Sequence, residues 1–168
     1  MSETKAVATI PQSQKQLTIR ERLESTEFLQ AVTKSLPKHL TPERFIRVAI
    51  TAMTRTPKLS QCTQASFFNA MLTLSQYGIE ADGRRAHLIP YENRRAGTVD
   101  CQLILDYKGI AELVMRSGLV SYLHADVVCE NDVFEYDMGE IGAHKIDFRK
   151  PRGGVYAVYC ICKFKDGT

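Results

Sequence analysis

Asp106-Tyr107-Lys108-Gly109 sets a carboxylate, an aromatic ring, an ammonium and a glycine side by side. An alternating apolar segment, 99–105, leads into it, and a stretch with helical spacing follows to Ser117. An aspartate ahead of a first helical turn caps its amides. Amides at such a terminus, with the helix dipole behind them, attract anions. Lys108 adds a cation, and the ring of Tyr107 offers a face worth roughly 1–3 kcal/mol per stacked base. The group suits a phosphate chain with bases beside it. It holds no paired nucleophile and base, so binding rather than bond breaking is the chemistry to expect.

Further cations flank this junction. Residues 84–116 carry Arg84, Arg85, Arg94, Arg95, Lys108 and Arg116 against four acids; 117–148 carry seven acids and one lysine; 149–168 carry five basic residues and one acid. A net charge of +3 hides this segregation, which can give one face a positive field. Arg94 and Arg95 fall between two strand-like runs, where they can close over a backbone, and Tyr91 is a second ring for stacking. Each residue also has a plainer use. Asp106 can simply cap a helix, Tyr107 can pack in a core, and Arg116 can pair with Glu112 one turn earlier for a few tenths of a kcal/mol. Arg44, Arg47 and Arg55 read as solvated charge on a helix.

Other chemistries find less support. Asp126, Glu130, Asp132, Glu135 and Asp137 are the acids a metal-dependent nuclease would need, but their spacing defines no site. No Gly-x-x-x-x-Gly-Lys-Ser/Thr loop occurs, and His39, His87, His124 and His144 are dispersed. The odd count of five cysteines, without a Cys-x-x-Cys pair, fits reduced thiols in a cytosol. Cys160 and Cys162 alternate with apolar residues, as core positions on a strand would. No apolar run is long enough for a membrane span.

These residues need a frame. Residues 1–17 are polar and read as a disordered tail, and 18–36 as one or two short helices with Thr26 as a cap. Thr41-Pro42-Glu43 opens a helix that Pro57 stops, and a second helix runs from about Ala65 to Tyr77, closed by Gly78 with Ile79 in a Schellman contact. Strands follow at 86–91 and 99–105. After the helix from Asp106 come strands near 119–130, 132–138, 144–149 and 154–165. The class is α+β, in one domain over 18–168. Asp166-Gly167 signals a hairpin whose return strand is absent, so truncation is expected.

Several segments together are similar to the RecT family of phage and prophage single-strand annealing proteins. They are Leu36-Pro-Lys-His-Leu-Thr-Pro-Glu-Arg-Phe45, Gly78-Ile-Glu-Ala-Asp-Gly-Arg-Arg-Ala-His-Leu-Ile-Pro-Tyr91, Gln102-Leu-Ile-Leu-Asp-Tyr-Lys-Gly109 and Arg116-Ser-Gly118. The resemblance spans roughly 36–168. It implies helices packed on a β-β-α-β-β-β core with an antiparallel meander, lacking C-terminal helices that family members carry. It implies ATP-independent binding of single-stranded DNA and of annealed duplex by a homo-oligomer, as a ring or filament, beside a phage exonuclease in the cytoplasm. It transfers no catalytic residue and no metal ligand; no cofactor is required, and Mg²⁺ enters only as a modulator of annealing. Carried onto this chain, the groove residues are Tyr107, Lys108 and Arg116, then Arg84, Arg94 and Arg95. A passive single-strand-binding protein and a metal-dependent nuclease stay open as alternatives.

Overall fold

A computed structural model describes residues 17–167. The tail expected over 1–17 lies outside the described residues, Leu17 excepted. The chain divides after Asp106 into two compact units.

The first unit begins with α1 (Ile19–Leu23), α2 (Thr26–Ser35), α3 (Pro42–Arg55), a 3-10 turn (Pro57–Gln61) and α4 (Gln64–Tyr77). Thr18 and Glu21 form a capping box on α1. Ser25, not Thr26, caps α2 by accepting from the Phe28 amide; Thr26 is already helical. Thr41 occupies the cap position of α3 but its side chain makes no cap bond, so Pro42, with φ pre-set, is what opens that helix. Gly78 closes α4 in the left-handed conformation, φ 61°. The Ile79 amide donates to Leu74 O and the Gly78 amide to Ser75 O, both at 3.1 Å, which completes the Schellman pattern. Ile79 and Leu74 are fully buried, together with Leu23, Val32, Phe45 and Phe67.

β1 (Ala86–Asn93) and β2 (Thr98–Leu105) form an antiparallel hairpin in full register from Ala86↔Leu105 to Asn93↔Thr98. Pro90 fits because β1 has a partner on one side only. The start of α4 holds this hairpin. The Thr63 amide donates to Val99 O at 2.8 Å, the Thr63 hydroxyl to Asp100 Oδ1 at 2.9 Å, and the Cys101 amide to Ser66 Oγ at 2.8 Å.

The second unit holds α5 (Tyr107–Arg116), β3 (Val120–Cys129), β4 (Val133–Asp137), β5 (Glu140–Lys145) and β6 (Val155–Phe164). The α+β class holds, but four strands follow α5 rather than the three of a β-β-α-β-β-β core. They do not form a meander. β3 pairs with β6, and the β4–β5 hairpin is nested between them in sequence. The cause is the turn after β3. There the Glu130 amide donates to Gly154 O and the Asn131 amide to Arg152 O, both at 3.0 Å, so the backbone leaving β3 is bonded to the segment entering β6. The strand expected at 144–149 starts earlier, at Glu140, because Met138 and Gly139 form a two-residue turn with φ 44° and 102°. Cys160 and Cys162 are exposed, against the core expectation; only Val120, Val128 and Cys129 of this unit's larger apolar side chains are buried.

A polar cluster locks the nested strands. The buried Asp132 carboxylate accepts from Arg152 Nη2 at 2.6 Å and from the Cys129 amide at 2.9 Å. His144 Nε2 lies 3.2 Å from Asp132 Oδ2, and its Nδ1 lies 2.9 Å from the Tyr159 hydroxyl. The Arg152 guanidinium holds the Asp132 carboxyl well below the usual carboxylate range. A depressed pKa adds stability that is complete above the unfolded value and lost as pH falls through the folded one. Stability should therefore fall below about pH 4 in the parent and more gently in Asp132→Asn, although that variant starts lower at neutral pH. Urea midpoints followed by circular dichroism at both pH values check this, and parallel pH profiles would contradict it.

Candidate nucleic-acid interface

α5 starts at Tyr107, leaving Asp106 at the position that precedes its first turn. The Asp106 amide donates to Arg85 O at 3.0 Å, and its carboxylate lies 3.7 Å from His87 Nε2. Tyr107 is 72% exposed, which removes the reading of it as a core residue. The Lys108 ammonium sits 5.4 Å from the centre of the Tyr107 ring, in cation–π range. Gly109 is buried. Arg116 stands two turns on, about 12 Å along the helix axis. Its Nη1 is 3.7 Å from Glu112 Oε1, the pairing expected one turn apart. α5 therefore presents a ring and a cation together at one end and a partly neutralised cation at the other.

The remaining basic residues belong to the first unit. Arg94 and Arg95 are exposed at the tip of the β1–β2 hairpin, in a turn closed by the Ala96 amide donating to Asn93 O at 3.1 Å. Arg84 is exposed at the other end of the same hairpin, roughly 25 Å away at the rise of a strand. Arg84 and the Arg94–Arg95 pair thus mark two separate points on this unit.

The sequence reading missed the organising residue near Arg84. Glu80 is 1% exposed. Its Oε1 accepts from Arg44 Nε at 2.7 Å, and its Oε2 from Arg44 Nη2 at 3.0 Å and Arg85 Nη2 at 2.9 Å. Arg85 Nε also donates to Asp82 Oδ2 at 2.8 Å. Asp82 Oδ1 accepts from the Arg84 and Arg85 amides, both at 2.8 Å. The backbone and side-chain bonds from Arg85 and Arg84 outweigh burial and depress the Asp82 pKa. Two buried or half-buried carboxylates thus fix the guanidinium groups of Arg44 and Arg85. Arg44 is no loosely solvated charge. A glutamate between Ile79 and Ala81, both buried, was the available signal: an acid in an apolar run needs a cation.

Several groups that could do covalent chemistry are engaged elsewhere. Among the described residues, no three of His, Cys, Asp and Glu gather as a metal site. Asp132 is held by Arg152 and His144, Glu130 Oε2 accepts from the Gly154 amide at 3.1 Å, and Asp126 lies 3.9 Å from His124. The Tyr159–His144–Asp132 chain has the outline of a nucleophile relay, but burial raises the Tyr159 pKa and keeps the phenol protonated. Burial also pushes the Cys101 thiol up to about 12, far from a reactive thiolate. No described helix is long and apolar enough to cross a membrane.

The RecT family matches residues 43–168, a span that holds all six predicted contact residues. The chain is 35% identical over 144 residues to Protein RecT of Escherichia coli (strain K12), covering 82% of this chain and 53% of that protein. It thus spans about half the length of the curated relative it matches. With a family match over most of its length, joined to that identity, the chain belongs to the RecT family.

Proposed function

We propose that this chain binds single-stranded DNA and anneals complementary strands without ATP, as in phage-type homologous recombination, breaking no covalent bond. Family membership across 43–168 carries this reading. The exposed Tyr107–Lys108 pair at the start of α5 supports it. Contacts to phosphate carry no sequence information. A strand held through its phosphates therefore keeps its base edges free, with Lys108 and Arg116 the candidate contacts of one unit and Arg84, Arg94 and Arg95 those of the other. A complementary strand pairs with those edges, and base pairing supplies the energy. Both units serve this one activity. Neighbouring copies, in a ring or filament, keep the strand extended. A phage exonuclease is the expected supplier of single strands, and the cytoplasm the expected compartment. No cofactor is required, and Mg²⁺ acts at most as a modulator.

Two complementary fluorescent oligonucleotides, mixed with the protein and no nucleotide, test the reading across a salt series. Pairing should be faster than without protein and should fade as salt rises, because each phosphate neutralised on a single strand contributes about −0.7 to the salt slope. Binding without acceleration would instead identify a passive single-strand binder. Strand cleavage with Mg²⁺ would identify a nuclease.

A further inference from the structure

We propose that the cleft between the C-terminal end of α3 and the start of β1, lined by Arg55, Gly83 and His87, takes one backbone phosphate of a DNA strand. The inference rests on the DNA-binding reading above and adds a subsite to it. The cleft measures about 260 Å³.

Arg55 differs from the arginines around it. Arg44 and Arg85 are committed to Glu80. Arg55 touches the carbonyl of Asp82 through Nη1 at a long 3.5 Å, and no described carboxylate pairs with it. An arginine held at the mouth of a cleft by a neutral carbonyl keeps its full charge for an anion. The carboxylate of Asp82 is meanwhile engaged by the Arg84 and Arg85 amides and the Arg85 guanidinium. Gly83 adopts φ +75°, and nothing lies within 4 Å of where a Cβ would stand, so backbone rather than a side chain borders the opening. His87 contributes ring nitrogens, with Nε2 3.7 Å from Asp106 Oδ2.

The rest of the lining says which phosphate. Leu88, Ile89 and Pro90 form an apolar wall, and Ile89 is 40% exposed. A free inorganic anion gains nothing from such a wall. A phosphodiester brings a deoxyribose ring that can cover it.

Arg55→Gln is the probe, since the amide keeps a donor for the Asp82 carbonyl while the charge is lost. Anisotropy titrations of a labelled oligothymidylate across a salt series give affinity and slope together. The variant should bind roughly tenfold more weakly at low salt, with a slope shallower by about 0.7. Arg55→Lys should recover much of both, and the urea midpoints of both variants should match the parent. An unchanged affinity and slope in Arg55→Gln, with the parent binding well, overturns the subsite and leaves the DNA reading standing. A parent that fails to bind the oligonucleotide at low salt overturns both. Inorganic phosphate, added at constant ionic strength, should not displace the oligonucleotide; efficient displacement would mean a free-anion site and also overturn the proposal.

Discussion

Glu80→Gln should lower stability by about 2–3 kcal/mol, a large effect for a substitution that keeps the shape of the side chain. The carboxylate is 1% exposed and accepts three bonds from Arg44 and Arg85. A glutamine presents an NH₂ group where one carboxylate oxygen stood, so a buried donor faces guanidinium donors. The penalty stays below that of stranding a buried charge, because the arginines can turn outward: their side chains are 63% and 26% exposed. Guanidinium denaturation read by circular dichroism measures the cost. Glu80→Ala should cost at least as much, since it adds a cavity. Parent-like midpoints for both variants would mean that the pairing adds nothing to the fold.

Glu80 also shows where reading the chain by itself reaches its limit. Local signals were legible. Gly78 and Ile79 end α4 as their types demand, and Asp106 precedes α5 where a capping residue belongs. Such features depend on a few adjacent residues. The α+β class followed from the change of hydrophobic period near Gly83. Partnerships across the chain did not follow. Arg44 and Glu80 are 36 residues apart, and nothing near either announces the other. The pairing of β3 with β6 is set by backbone bonds from Glu130 and Asn131 to residues 152–154, which no periodicity encodes. The Met138–Gly139 turn was missed because methionine is rarely placed at positive φ. For the interface, residue types singled out Tyr107 and Lys108, and the structure adds that Tyr107 is exposed with the Lys108 ammonium near its ring. Arg55 looked like ordinary surface charge because its distinguishing feature, a place in a cleft where it meets the Asp82 carbonyl and not a carboxylate, exists only in three dimensions.

Tyr107→Ala should weaken single-strand binding by roughly 1–3 kcal/mol if one base stacks there, the largest single loss expected on the DNA side. Tyr107→Phe should keep most of the affinity, since stacking uses the ring and not the hydroxyl. In the unbound protein the Lys108 ammonium lies 5.4 Å from the centre of that ring. The two residues therefore interact before DNA arrives, and a base that takes the ring face competes with the ammonium for it. Phosphate resolves the competition: it draws Lys108 to the backbone while the base takes its place. Lys108→Ala then has two opposed consequences. It removes a phosphate contact, which makes the salt slope shallower by about 0.7, and it uncovers the ring, which favours stacking. The net loss in affinity should be largest at low salt, where the phosphate contact is strongest, and should shrink as salt rises. Both effects should be alike for oligonucleotides of different sequence, because neither contact reads a base edge. A Lys108→Ala loss that grows with salt, or that appears for one sequence alone, would rule out the phosphate role and leave Tyr107 as the sole contributor at this end of α5.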